Sequence, residues 1–327
     1  TSQFEPEGWH LFDLTKNYGK QLLWIGISLS MFVFVQLIDA RLIISLSYVI
    51  YAIMIMLLMV VFGLKAAMLP LQFWLPSTYA AAPGPIAALF AIMTKVGIYS
   101  LIRVHGMIFG TEAGALAEII QPWIGVIAIL TLTLGTIGAL TSASLKKLTA
   151  HLIIISIGTL LLTIAFNNQL SIGAALIYAV HSTLAAGALF LIAEVISEQR
   201  GKAQDRIVKS RALGQPIAIG IAFFISALTI VGMPPFSGFI GKVMVLQSAE
   251  AGIQTYWSWP VLLISSLAVL TAFSRAGSTL FWRVSDNTPG DQRSDPIKFI
   301  AIWTLLAGAP LLAIFAGSIT GYTDAAA

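Results

Sequence analysis

The sequence predicts an all-α polytopic membrane protein with about nine transmembrane helices, and its composition and hydrophobic pattern carry this prediction. Of the 327 residues, 58% are hydrophobic and 10% are charged, whereas soluble domains carry roughly 25% charged residues. A chain so poor in charge cannot cover a water-exposed surface, which argues against a soluble enzyme, a nucleic-acid-binding protein and a disordered chain. The absence of cysteine excludes disulfides, thiolate metal sites and cysteine-ligated clusters.

Apolar stretches long enough to cross a bilayer, which takes about 20 helical residues, follow one another along the chain with one strongly polar loop, 197–214. These stretches are 21–38, 42–75, 85–104, 116–140, 148–166, 171–196, 215–247, 259–281 and 297–319. We therefore predict one transmembrane domain over 21–319, a cytoplasmic segment 1–20 and an exterior tail 320–327. Lys and Arg are concentrated on the side of residue 1, and this bias marks the cytoplasmic side.

Two of the predicted spans, 42–75 and 215–247, are longer than one crossing needs, and both contain proline. Pro70 lies in the first, and Pro234 and Pro235 lie in the second. Since proline removes a backbone donor and clashes with the preceding turn, each span is either a tilted, kinked helix or a helix broken at membrane depth. We predict broken helices. Their opposite directions across the membrane indicate inverted repeats.

Four ionisable side chains lie at or near mid-membrane depth, where an ionisable residue is costly and marks a functional site by default. They are Lys65, Lys95, His181 and Lys242. Histidine takes and gives a proton near neutral pH. The alternatives are a lysine paired with a neighbouring helix, a snorkelling Lys242, and a His181 that only packs.

Hydroxyl groups accompany these residues, but acids do not. Tyr178 and Ser182 lie at helical spacing beside His181 and could hold a water. Ser156, Thr159 and Thr163 share one helix face, where bonding to backbone carbonyls is the simpler interpretation. None of the 14 acids lies at mid-membrane depth. We expect neither a metal site nor a cofactor, because phosphate-binding, dinucleotide-binding and paired-histidine motifs are absent.

Several motifs together resemble one family of membrane proteins. Residues 62–76 read FGLKAAMLPLQFWLP, followed by PGP at 83–85 and TKVGIY at 94–99, and residues 232–242 read GMPPFSGFIGK. They resemble the proton-translocating antiporter-like subunits of respiratory complex I and of Mrp-type multisubunit cation/proton antiporters. HSTL at 181–184 and SRAGSTLFW at 274–282 resemble the Mrp D subunit in particular. Complex I relatives commonly carry lysine where this chain has Ala185.

The resemblance implies an inverted-repeat fold of fourteen helices, of which this chain lacks the first five. It implies a proton relay through Lys65, Lys95, His181 and Lys242. Lys65 would pair with a glutamate on a helix before Thr1, so we expect the gene product to extend upstream unless it is truncated. Support for the broken helices would come from four residues of the two motifs: Pro70, Pro234, Pro235 and Gly238.

The resemblance also implies a function: a membrane subunit of a multisubunit Na+/H+ antiporter. Such a protein is a transporter subunit, not an enzyme, and works without a cofactor in the bacterial inner membrane. Its partners would be other membrane subunits, Na+, H+ and lipid. The alternative is a proton-pumping membrane subunit of complex I or of a related dehydrogenase or hydrogenase. A non-transporting scaffold fits three deep lysines poorly.

Overall fold

The computed structural model describes residues 17–37, 40–107, 121–249, 253–284 and 294–326. Within these residues the secondary structure is helical, apart from two isolated β-bridges. The predicted cytoplasmic segment 1–20 lies largely outside them. The chain divides into two units, Thr1–Leu58 and Met59–Ala327. The first unit contains α1 (Asn17–Leu37) and most of α2 (Ala40–Ala66).

The second unit contains the end of α2 and the remaining helices. These are α3 (Trp74–Ala81), α4 (Gly84–Met107), α5 (Gln121–Thr141), α6 (Leu145–Phe166), α7 (Gln169–Arg200), α8 (Pro216–Val231), α9 (Ser237–Gln247), α10 (Ile253–Gly277), α11 (Pro296–Ile314) and α12 (Ala316–Ala326). A 3-10 turn follows α7 at Gly201–Ala203, and a π-helical turn follows α10 at Ser278–Trp282.

The predicted spans correspond to apolar helices. Among the described residues, seven helices are long and apolar enough to cross a membrane, and Gly19–Phe34 and Pro216–Val231 are shorter apolar helices. These nine helices, seven long and two shorter, match the nine predicted stretches one to one. The last stretch differs in detail, because α11 ends at Ile314 and α12 continues to Ala326, beyond the predicted end at 319.

Helices α6 and α7 lie at the centre of the second unit. Of the 22 residues of Leu145–Phe166, 18 are buried, and of the 32 residues of Gln169–Arg200, 21 are buried. A helix that is apolar on all sides, as α6 is, suits such a central position. The surrounding helices α4, α5, α10 and α11 leave large apolar side chains exposed, as contact with lipid requires. Close packing of α5 on α6 depends on Gly158, where a Cβ would lie 2.7 Å from the Leu132 backbone nitrogen.

Both long spans are broken helices, as predicted. Helix α2 ends at Ala66, and a turn that contains Pro70 leads to α3. There the freed Leu69 N–H donates to Thr131 Oγ1 on α5 at 3.0 Å. Helix α8 ends at Val231, and a turn that contains Pro234 and Pro235 leads to α9. The backbone is therefore interrupted within both of these spans, and a tilted, continuous helix is excluded at each.

Gly238, in the first turn of α9, allows α9 to pack closely against α8 and α7 at the second break. A Cβ at this position would lie 1.9 Å from the Thr229 carbonyl oxygen on α8 and 2.9 Å from His181 Cε1 on α7. A side chain here would push α9 away from two helices, because the backbone oxygen cannot rotate aside.

We expect Gly238→Ala to lower the free energy of unfolding by about 1–3 kcal/mol, the usual cost of an overpacked site. Unfolding of the purified protein in detergent measures this. Gly317→Ala on α12 is the control, since nothing lies within 4 Å of its added Cβ. Equal stability of the two variants would contradict the tight packing at Gly238.

Candidate functional site

Lys95 is held inside the protein by a hydroxyl group. Its side chain, on α4, is 6% exposed. The ammonium donates to Ser156 Oγ on α6 at 3.0 Å, and Ser156 in turn donates to the Ile153 carbonyl at 2.7 Å. Lys95 is therefore tied to a neighbouring helix by a neutral partner, which leaves its positive charge without a counter-ion at this contact.

His181, on α7, is 3% exposed and also has a hydroxyl partner. Its Nδ1 shares a hydrogen bond of 3.0 Å with Ser237 Oγ, on the first residue of α9. The Tyr178 ring lies beside the imidazole, with 5.6 Å between the ring centroids, and the Tyr178 hydroxyl is hydrogen-bonded to Thr159 on α6. His181 thus connects the central helix pair to the second half of the broken helix.

Lys242, on α9, reaches back across the break to the end of α8. Its ammonium donates to the carbonyl oxygens of Ile230 at 3.1 Å and Val231 at 2.8 Å, and to Ser266 Oγ on α10 at 2.8 Å. All three ammonium hydrogens are therefore used. The side chain points towards the break between α8 and α9, so the snorkelling alternative does not describe this conformation.

The two prolines explain why these carbonyl oxygens are available. In a continuous helix, the N–H of residue i+4 would bond to the carbonyl of residue i. For Ile230 and Val231 those residues are Pro234 and Pro235, which have no N–H. The Lys242 ammonium supplies the missing donors. The free carbonyl oxygens at the break and the Lys242 ammonium therefore satisfy each other's hydrogen-bonding capacity.

One small cavity joins these groups. Its volume is about 20 Å³, which is enough for a single water. Its polar lining comes from α6, α7, α9 and α10 and comprises Ser156, Tyr178, His181, Ser182, Lys242, Ser265 and Ser266. The structure thus brings His181, Lys242 and the Ser156 partner of Lys95 to one buried space. It also places Tyr178 and Ser182 where the sequence predicted a water site beside His181.

Lys65 is the one predicted relay residue that neither lines this cavity nor bonds to a residue that lines it. It is exposed in the last turn of α2. Its neighbour Ala66 packs against Gly97 on α4, where a Cβ would lie 2.7 Å from the Ala66 nitrogen. Lys65 and Lys95 therefore lie near the same helix contact. The glutamate implied for Lys65 would precede Thr1, outside this chain, and it stays a prediction.

Carboxylates are found away from the cavity. Within the described part of the chain, the ion pairs are Lys146 with Glu194, at 2.6 Å, and Lys298 with Glu198. Lys146 and Lys298 lie in the first turns of α6 and α11, and both glutamates lie in the last two turns of α7. The described residues also contain no group of three or more His, Cys, Asp or Glu that could hold a metal ion.

Sequence reasoning missed two of the hydroxyl partners. Ser237 lies inside the 232–242 motif, so its position beside the break was a usable signal. Ser266 had no such signal, because it is one serine among several on an ordinary apolar helix. The expectation for α6 is confirmed, since Ser156, Thr159 and Thr163 all donate to carbonyls of their own helix. Ser156 and Thr159 additionally bond to Lys95 and Tyr178.

Comparisons with known proteins give a consistent set of relatives. A family model described as "NADH:quinone oxidoreductase/Mrp antiporter, TM" matches residues 10–271. The D subunit of a probable K+/H+ antiporter of Rhizobium meliloti is 34% identical over an alignment of 296 positions, which covers 82% of this chain and 54% of the relative. The D subunit of the Na+/H+ antiporter of Bacillus subtilis is 36% identical over 234 residues, 71% of this chain and 46% of the relative.

The fold also matches a solved structure. A chain of the Mrp complex from Dietzia sp. DQ12-45-1b superposes with a TM-score of 0.69 at 21% identity, over 81% of this chain and 57% of that chain. At this identity the match shows the fold alone. This chain spans about half the length of the curated relatives it matches.

The Lys95–Ser156 contact can be tested by stability. We expect Ser156→Ala to lower the free energy of unfolding by about 1–3 kcal/mol, because it leaves a buried ammonium without its partner. The double variant with Lys95→Met should recover much of this loss, since removing both partners can be nearly neutral. Denaturant unfolding in detergent gives both values. Ser100→Ala on the exposed side of α4 is the control, and equal losses in single and double variants would count against the pair.

Proposed function

Because the chain belongs to the family of transmembrane proteins that NADH:quinone oxidoreductases and Mrp antiporters share, we propose that it is a membrane subunit of a multisubunit monovalent cation/proton antiporter. The observation that carries this proposal is the buried cavity that His181, Lys242 and the Ser156 partner of Lys95 share. Proton-carrying side chains grouped around one small polar space, inside an otherwise apolar helix bundle, suit proton transfer better than they suit packing.

In the proposed mechanism, protons pass between Lys95, His181 and Lys242 through hydroxyl groups and a water in the cavity. Ser156 and Ser237 orient the first two groups, and Ser266 together with the α8 carbonyls orients the third. Like charges repel strongly at short range inside an apolar helix bundle. A proton arriving at one group therefore favours release from its neighbour, which couples successive steps of the transfer. Lys65 extends the relay into the first repeat.

We further propose a bacterial inner-membrane location, with the side of residue 1 in the cytoplasm. The polar segment after α7 supports this, because it carries several exposed basic residues. These are Lys202, Arg206, Lys209 and Arg211. Two isolated β-bridges connect this segment to residues beside other helices. Arg206 pairs with Ser144, just before α6, and Ser210 pairs with Val284, just after the π-helical turn that follows α10. One face of the protein therefore collects positive charge, as cytoplasmic faces do.

A proton-pumping subunit of complex I, or of a related dehydrogenase, is the second candidate, because the family description covers both. Two sequence features favour the antiporter. Ala185 stands where complex I relatives commonly have lysine, and residues 274–282 resemble the Mrp D subunit. The antiporter names of the two relatives agree with a transporter. Copurification separates the candidates, because partner subunits that carry flavin and iron–sulfur clusters would overturn the antiporter proposal.

We expect Lys242→Ala to abolish cation-driven proton exchange, because the variant removes the group at the end of the proposed relay. The measurement is pH change inside vesicles that contain the assembled complex, after addition of NaCl or KCl. Lys202→Ala, in the exposed segment after α7, is the matched control and should exchange at the wild-type rate. Wild-type exchange by Lys242→Ala in an intact complex would refute the relay.

His181→Gln tests the titrating role of the imidazole apart from its packing. Glutamine retains an amide that can bond to Ser237, but it cannot take up a proton near neutral pH. We expect the exchange rate to fall by roughly tenfold or more and its pH profile to change between about pH 6 and 9. His151→Gln, the same change outside the cavity lining, is the control. An unaltered exchange rate and pH profile would indicate that His181 only packs.

A further inference from the structure

The Lys242 ammonium occupies a cage made entirely of neutral oxygen atoms. Two are the backbone carbonyls of Ile230 and Val231, and the third is Ser266 Oγ. Neither ion pair in the described part of the chain involves Lys242. The positive charge is therefore stabilised by dipoles, in a place where a carboxylate would have been the simplest counter-ion.

Two of the three cage oxygens belong to the backbone at the end of α8. Helix α8 ends at Val231, and the next residue, Gly232, has a left-handed φ of 86° and donates its N–H to the Leu228 carbonyl. The carbonyls of Ile230 and Val231, whose helical donors would have been Pro234 and Pro235, lie in this last turn and accept from Lys242. This end of a helix carries partial negative charge. The oxygen atoms thus attract a cation whether or not Lys242 is protonated.

The same set of oxygen atoms suits a dehydrated alkali cation. Unwound carbonyls and helix C-terminal ends coordinate Na+ in transporters with broken helices, and a ring of carbonyls replaces the hydration shell of K+ in channels. Thr229, in the same last turn, has a fully buried hydroxyl oxygen without a hydrogen-bond partner. The 20 Å³ cavity borders Ile230, Lys242 and Ser266, so there is room beside the cage for one water or a bare ion.

We propose that the Ile230 and Val231 carbonyls and Ser266 Oγ form a binding site for a monovalent alkali cation, which the Lys242 ammonium and the ion occupy in turn. This inference rests on the proposed antiport function and names the cation site that the function requires. When the ion enters, Lys242 loses one proton, its electron pair stays on the amine nitrogen, and the neutral side chain withdraws. The proton passes into the cavity towards His181. Each ion bound at the site releases one proton, which couples the two movements.

Ser266→Ala tests the cage, because it removes one of three cage oxygens and leaves Lys242 with both carbonyls. In vesicles of the assembled complex we expect the apparent KM for Na+ or K+ to rise by roughly threefold to tenfold, the usual effect of one lost polar contact. Separate NaCl and KCl series identify the preferred ion. Thr271→Ala is the control, since its exposed hydroxyl on the same helix bonds only to the Ala268 carbonyl. Ser266→Thr keeps a hydroxyl and should restore the KM.

A second measurement separates the cation site from the relay. Adding NaCl or KCl to the purified complex in weak buffer should release protons, and Lys242→Gln should release one fewer per complex while it still binds the ion, measured with radioactive Na+ or Rb+. A wild-type KM in Ser266→Ala, or unchanged proton release in Lys242→Gln, overturns the cation site. If the cation site is overturned in this way but Lys242→Ala abolishes cation-driven proton exchange, the proposed function still stands. If Lys242→Ala retains exchange, both proposals fail.

Discussion

The contact between Lys242 and the end of α8 is the interaction on which the candidate site depends. A bilayer offers no water to a backbone carbonyl that has lost its helical donor, and it offers none to an ammonium. Pro234 and Pro235 leave two carbonyl oxygens without helical donors, and Lys242 brings an ammonium that needs acceptors. The contact satisfies both groups, because the ammonium supplies the N–H groups that the prolines lack. A positive charge is thereby accommodated inside an apolar helix bundle, where an unpartnered charge is costly.

Small residues allow the helices to come close enough for these contacts to form. Gly238 lies against the Thr229 carbonyl and the His181 ring, and Gly158 lies against the Leu132 backbone. Van der Waals packing and interhelical hydrogen bonds hold membrane helices together, and both depend on such close approach. The serine partners of Lys95, His181 and Lys242 are themselves small, so the hydroxyl groups can bridge neighbouring helices without opening a large cavity.

Neutral partners give the site a different character from an ion pair. An ammonium held by a carboxylate gains a strong Coulomb interaction in an apolar interior, and the proton would be difficult to move. Hydroxyl groups and carbonyl dipoles hold a charge more weakly and also accept a neutral amine or imidazole as a neighbour. Glu194 and Glu198 are instead paired with lysines near the ends of α6, α7 and α11. In our proposal, this separation leaves the cavity free for mobile protons and for a cation.

Local rules applied to the sequence were enough to predict the helical class, the spans and the two breaks, and they selected Lys95 and His181, which the structure buries. About 20 apolar residues cross a bilayer, proline interrupts a helix, and a buried charge is costly wherever it stands. Which groups meet depends instead on helix packing. Ser156 is 61 residues from Lys95, Ser237 is 56 residues from His181, and Ser266 is 24 residues from Lys242. Serine is common in apolar helices, where it can satisfy itself on its own backbone, so its presence does not identify a partner. The three contacts exist because packing brings distant turns together, and local sequence patterns do not specify that packing.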